Sequence, residues 1–249
     1  MKKLLKIAFC LFGGMIFSSL PVVAEDLSAW MERINLSGLI EVEAAHESMD
    51  FNNLEEADTD SSDIALATVE LGIDAEINKY VTGHVLLLWE EDDTEPVDLD
   101  EGFITISGAD KVPLYLSAGK MYVPFGSFSS HFISDPITLE IGETRESAVR
   151  VGFANDMFDM SMSVFNGDID EINDDDKIST FVGSAVFSLP EETIPDMGLA
   201  MGVSYISNMA DTDGIEGEIS GPITDSVAGM GFFLSASLKE TFFIEAEYI

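Results

Sequence analysis

From Ile34 onward the sequence alternates apolar and polar side chains in segments of about ten residues. In INLSGLIEVEA, residues 34–44, Ile34, Leu36, Ile40 and Val42 fall on one face of an extended chain. Asn35, Ser37, Glu41 and Glu43 fall on the other. In ALATVELGIDAEI, residues 65–77, Ala67, Val69, Leu71 and Ile73 oppose Thr68, Glu70, Asp74 and Glu76. A period of two is the mark of a strand with two unlike faces. Eleven such segments can be read: 34–44, 65–77, 80–89, 100–108, 113–123, 147–154, 157–166, 178–188, 198–206, 227–238 and 241–249. One face is almost wholly apolar. The other carries carboxylates at mid-strand rather than a second apolar layer.

The connections alternate as well. Asn78-Lys79, Asp110-Lys111, Asn155-Asp156 and Lys239-Glu240 are tight turns, and the link around 189–197 is longer. Between them lie long connections at 45–63, 90–99, 124–146, 167–177 and 207–226. Short and long links in strict succession describe tight turns at one rim and long loops at the other. Trp89, Tyr80, Tyr115, Tyr205 and Tyr248 sit near strand ends, as interfacial aromatic girdles do. The expected fold is therefore all-β, an antiparallel up-and-down transmembrane β-barrel. A soluble β-sandwich with acidic loops is the alternative that shares the alternation.

Lys2, Lys3 and Lys6 precede an apolar run that ends at Val22-Val23-Ala24, so residues 1–24 read as a cleaved signal peptide. Residues 25–33 would be a short periplasmic segment, with a brief helix over 26–34, and 34–249 the barrel. Cys10 lies within the leader, which leaves the mature chain without disulfides or thiolate metal ligands. The net charge of −36 becomes −39 once the leader is removed. Such a chain repels nucleic acid and attracts cations. Bacterial single-chain barrels have even strand numbers, and an unpaired edge cannot stand in lipid. Eleven strands therefore read as the N-terminal part of a longer barrel, of about sixteen strands.

The stretch KMYVPFGSFSSH, 120–131, ends a strand at Pro124 and Gly126 and opens the long connection. Pro124 removes an N–H and Gly126 permits a sharp bend. The connection is long enough to fold back into the lumen. Lys120, Arg145 and Arg150 flank it, with His131 inside it, and few other cations exist in the mature chain. Together they would bind an anionic group or set up a transverse field, or each would merely neutralise a nearby carboxylate. Glu41, Glu43, Glu70, Asp74, Glu76, Glu245 and Glu247 would line the lumen and favour cations. The run GDIDEINDDDK, 167–177, lacks the Gly and Glu spacing of an EF-hand. Loosely held divalent cations at acidic loops remain an expectation, bridging lipopolysaccharide, and no other cofactor is expected. No nucleophile motif or phosphate-cradling loop occurs, so no catalytic residue is assigned and an enzyme is not expected.

The string GKMYVPFGSFSSHFISDPITLEIGETRESAVRVGF, residues 119–153, resembles the central signature of LbtU-type siderophore porins. INLSGLIEVEA resembles that family's first strand, and a short Trp-containing segment before the barrel is similar too. The resemblance implies an outer-membrane barrel of a Gram-negative bacterium that takes up iron–siderophore complexes. It carries over no binding residues. Three functions stay open: siderophore uptake, general cation-preferring diffusion of small hydrophilic solutes, and a structural or adhesive barrel whose loops bind divalent cations.

Overall fold

The computed structural model describes residues 31–49, 59–91, 96–108, 111–130, 136–172, 177–190, 193–239 and 241–249. The leader, most of the segment before Ile34 and His131 lie outside them. Among the described residues eleven strands form one antiparallel sheet in sequence order. They are β1 Ile34–Met49, β2 Thr59–Asn78, β3 Val81–Glu90, β4 Asp98–Ser107, β5 Leu114–Tyr122 and β6 Arg145–Ala154. There follow β7 Phe158–Phe165, β8 Thr180–Ser188, β9 Met197–Ile206, β10 Gly229–Leu238 and β11 Phe242–Tyr248. The architecture is all-β and up-and-down. Two short helices, α1 Ile137–Gly142 and α2 Asp213–Glu216, lie in the connections. Among the described residues no helix is long and apolar enough to cross a membrane, which says nothing about strands.

The chain divides into two compact units, residues up to 75 with 84–100, and 76–83 with 101–249. In the first, β1 and β2 pair from Ile34↔Ala75 to the far end of both strands. This hairpin is longer than the alternation indicates. Residues 45–49 and 59–63, expected in a loop, are paired. A register shift between Glu41 and Glu43 sits inside it. Glu41 faces Thr68 and Glu43 faces Ala65, so β2 holds one extra residue there, and its period of two slips as at any bulge. That slip hides the continuation of the strand from a reading by faces.

In the second unit the register sorts the two faces. Leu114, Phe153, Met160, Ala185, Val203, Phe232 and Tyr248 form one continuous cross-strand row. Leu116, Val151 and Met162 stand in the next row on the same face. These side chains are exposed: Val151 53%, Met162 48%, Val203 48%, Phe232 50%. An uncovered apolar face across seven strands is far larger than soluble monomers present. The row between, Tyr115, Gly152, Ser161, Ser184, Ser204 and Gly231, is small and polar. The buried apolar cluster lies on this second face. It consists of Met121, Val123, Phe125, Ala148, Phe165, Val182 and Ile206.

The tight turns follow their residues. Asn78 Oδ1 accepts from Tyr80 N (2.9 Å), and Asn155 Oδ1 accepts from Met157 N (2.9 Å) and Phe158 N (2.8 Å). Such Asx turns let one side chain satisfy the backbone groups that the reversal frees.

Candidate pore constriction

The connection after β5 does not project away from the sheet. It turns across the polar face and crosses to β9 and β11. Val123 still pairs with the wall, its N–H donating to Thr144 O (2.9 Å). Gly126 then takes φ +88°, a left-handed bend that glycine adopts without strain. Its N–H donates to Ser204 Oγ on β9 (3.1 Å). Phe125, 1% exposed, is driven into the cluster with Phe165, Val182 and Ile206. Burying a Phe contributes about 1.5–3 kcal/mol, enough to hold a loop against a wall.

Glu247 on β11 closes the latch. One carboxylate oxygen accepts from Ser127 N (2.6 Å). The other accepts from Phe128 N (3.0 Å) and Thr138 Oγ1 (3.0 Å). Phe128 takes φ +52°, unusual for a side-chain-bearing residue. The bend aims two successive N–H groups at one carboxylate, an anion-binding nest. A cavity of about 270 Å³ remains between the loop and β10–β11, lined by Ser127, Ser130, Thr138, Phe233, Glu245 and Glu247 among others.

The returning half of the loop docks on the connection after β9. Thr212 Oγ1 donates to Ile141 O (2.8 Å), Asp213 N donates to Glu143 O (2.9 Å), and Arg145 N donates to Asp213 Oδ1 (3.1 Å). A Cβ at Gly214 would overlap the Glu140 carbonyl, so α1 and α2 meet only because that residue is glycine. Behind them Asp211, 1% exposed, accepts from Thr180 Oγ1 (2.6 Å) and Asn208 Nδ2 (3.0 Å). Asp211→Ala would strand both donors in a buried place. Unfolding by urea is expected to show a loss of about 2–4 kcal/mol, with Asp211→Asn losing less.

Asp168, Asp211 and Asp213 crowd Glu216 on α2. Burial first, then those three charges, raise the Glu216 carboxyl above its ordinary value. The folded chain thus keeps a proton that the unfolded chain has released. Stability falls as pH rises from the unfolded value to the raised one, and stays lowered above it. Glu216→Gln is expected to raise the thermal midpoint at pH 8 and to leave it nearly unchanged at about pH 3, where both states are protonated. Melting curves at the two pH values check this.

The structure separates the cations that the sequence groups. On β5 and β6, Ser117 faces Arg150, Lys120 faces Ser147, and Tyr122 faces Arg145. Arg150 therefore shares the polar face with Ser117. Lys120 and Arg145 share the opposite face with Leu116, Val149 and Val151. They lie near the loop-side end of β5 and β6. His131 lies outside the described residues. Tyr115, expected in a girdle, stands on the polar face and donates to Asp159 Oδ1 (3.0 Å).

In the first unit, Glu41, Glu70 and Asp74 lie on the polar face, and Glu43 shares it through the unbroken alternation of β1. Glu41, Glu90 and Asp100 are the charged neighbours of Glu70. Asp74 Oδ1 lies 2.7 Å from His84 Nδ1. Glu76, exposed on β2, continues the parity of Asp74 but belongs to the second unit. Among the described residues no group of three or more His, Cys, Asp or Glu is arranged to hold a metal ion. The acids at 173–176 lie outside them.

No family model matches the chain, and no solved structure matches it. A UPF0422 protein of Coxiella burnetii is 28% identical over 231 residues, covering 88% of this chain and 47% of that protein. UPF0422 protein lpl2888 of Legionella pneumophila strain Lens is 33% identical over 131 residues, 49% of this chain and 24% of its own length. UPF0422 protein lpg2959 of strain Philadelphia 1 matches to the same extent. The chain thus spans about half the length of the first relative and about a quarter of the others. Their names state no activity.

Proposed function

We propose that the chain forms the wall of a Gram-negative outer-membrane porin through which iron–siderophore complexes pass, with residues 123–144 as its constriction. One observation carries the reading. The long loop after β5 is latched onto the polar face, while the opposite face presents an apolar surface that lipid would cover. A loop fastened inside narrows a path without a separate plug. The likeness of 119–153 to LbtU-type porins supplies the solute class, and lipopolysaccharide would surround the loop rim.

The carboxylates on the polar face support a second reading, general diffusion with cation preference. Planar-bilayer conductance of the full-length protein separates the two. Micromolar block by one ferric siderophore added on the loop side supports specific uptake. Cation-selective current that no siderophore blocks leaves the general porin. Absence of any current sinks both and leaves a structural barrel with cation-binding loops.

A further inference from the structure

The cavity between the constriction loop and β10–β11 has a floor and a roof. Its floor is the polar face of two paired strands, where Phe233 opposes Glu247 and Ser235 opposes Glu245. Its roof is the loop, with Ser129 and Ile137 among the residues that reach it. Phe233 also opposes Gly202 on β9, and a Cβ there would overlap its ring. The ring therefore rests on that glycine and is held at the floor. Ile137 lines the cavity with 75% of its surface exposed. An apolar side chain left open beside the polar face is one that a bound apolar group would cover.

Among the described residues that line the cavity, two are acidic and none is basic. Glu247 is committed to three donors of the loop. Glu245, on the same face of β11, adds a second negative charge, so the cavity favours a cationic guest and repels an anionic one. Its volume of about 270 Å³ equals roughly nine waters at about 30 Å³ each. Clefts that enclose a drug-sized ligand hold roughly 300–1,000 Å³, so this one takes an arm of a solute rather than the whole. A primary ammonium suits it best. Its three N–H donors can turn to the Glu245 carboxylate and to the hydroxyls of Ser235 and Ser129, where a rigid guanidinium fork would need acceptors in one plane. A methylene stem would lie against Phe233 and Ile137.

We infer that this cavity is a binding site for a primary ammonium on a short alkyl stem, with Glu245 as its counter-ion. It deepens the porin reading by naming the arm that an iron complex would seat at the constriction, and rests on that reading only for the route of arrival. The probe is ferrioxamine B, a ferric trishydroxamate that ends in an aminopentyl arm. Its N-acetyl derivative keeps the iron centre and the stem but loses the charge. Both are titrated calorimetrically into the full-length protein in detergent, which needs no conduction. The amine form is expected to bind roughly tenfold or more tightly than the acetylated form. Glu245→Gln should remove most of that difference by weakening the amine form alone. Ile137→Ser, at an exposed position, should weaken the amine form about threefold. Heat-modifiable gel migration shows whether each variant has folded, and the comparison of the two ligands in the wild type needs no variant.

Absence of binding, or equal affinity for the two forms in the wild type, overturns the site. A preference for the amine form that Glu245→Gln leaves intact reduces it to general attraction by an acidic wall, and overturns it as well. Bilayer current from the same preparation is read separately. Discrimination between the two forms without current leaves the site standing while the porin reading falls, and current without discrimination does the reverse.

Discussion

Channels carrying Glu247→Ala should conduct roughly twice the wild-type current or more, with added flicker. Three hydrogen bonds end on that carboxylate, two from loop backbone and one from Thr138. Bonds to an ionised acceptor each contribute about 1.5–3 kcal/mol, so their joint loss rivals the burial of Phe125 as the loop's fastening. Phe128 loses the carboxylate that holds its φ at +52° and can relax to an ordinary conformation. The tip, 127–130, would then leave the wall, while Val123 and Phe125 stay in the cluster. Glu247→Gln keeps an acceptor oxygen and should fall between the two. A cysteine in place of Ser129 gives an independent reading. Its reaction with impermeant thiol reagents should accelerate in the Glu247→Ala background. Unchanged current together with unchanged labelling would show that the loop is not what limits the path.

That latch had no local trace in the sequence. Ser127 and Glu247 are 120 residues apart, and a carboxylate at mid-strand reads equally well as a free wall charge. The strands were legible because alternation is a local property, and side chains at i and i+2 share a face whatever the rest of the chain does. The helix ITLEIG was not legible. It is six residues long, too short for a 3.6-residue period to show, and tertiary docking against Thr212 and Gly214 holds it. The grouping of Lys120 with Arg145 and Arg150 rested on nearness along the chain. The alternation of LYLSAGKMY already placed Lys120 on the face of Leu114 and Leu116, and Tyr115 on the other. Parity was the better guide in both cases.

The apolar face decides between membrane and water, and Val151→Arg tests it most sharply. Val151 lies at the middle of β6, between Leu116 and Met162, with 53% of its surface exposed. If this face meets lipid, an arginine there should destabilise the folded protein in bilayers by about 2–4 kcal/mol, the cost at the hydrocarbon midplane. Phe242→Arg, on the same face but beside the tight turn at the start of β11, should cost about 0–1 kcal/mol, because the penalty fades toward the interface. If the face instead meets water, Val151→Arg falls among exposed surface changes and shifts stability by about 0.5 kcal/mol or less. It would also improve solubility, since it breaks up a large apolar patch. Urea titrations in short-chain phospholipid vesicles measure the first pair of values. A depth-dependent penalty on this face, with none for Ser161→Arg on the polar face, is the pattern of a strand with lipid on one side and a water-filled path on the other. An equal and small effect at all three positions would return the chain to a soluble sandwich, and the constriction would become an ordinary packed loop.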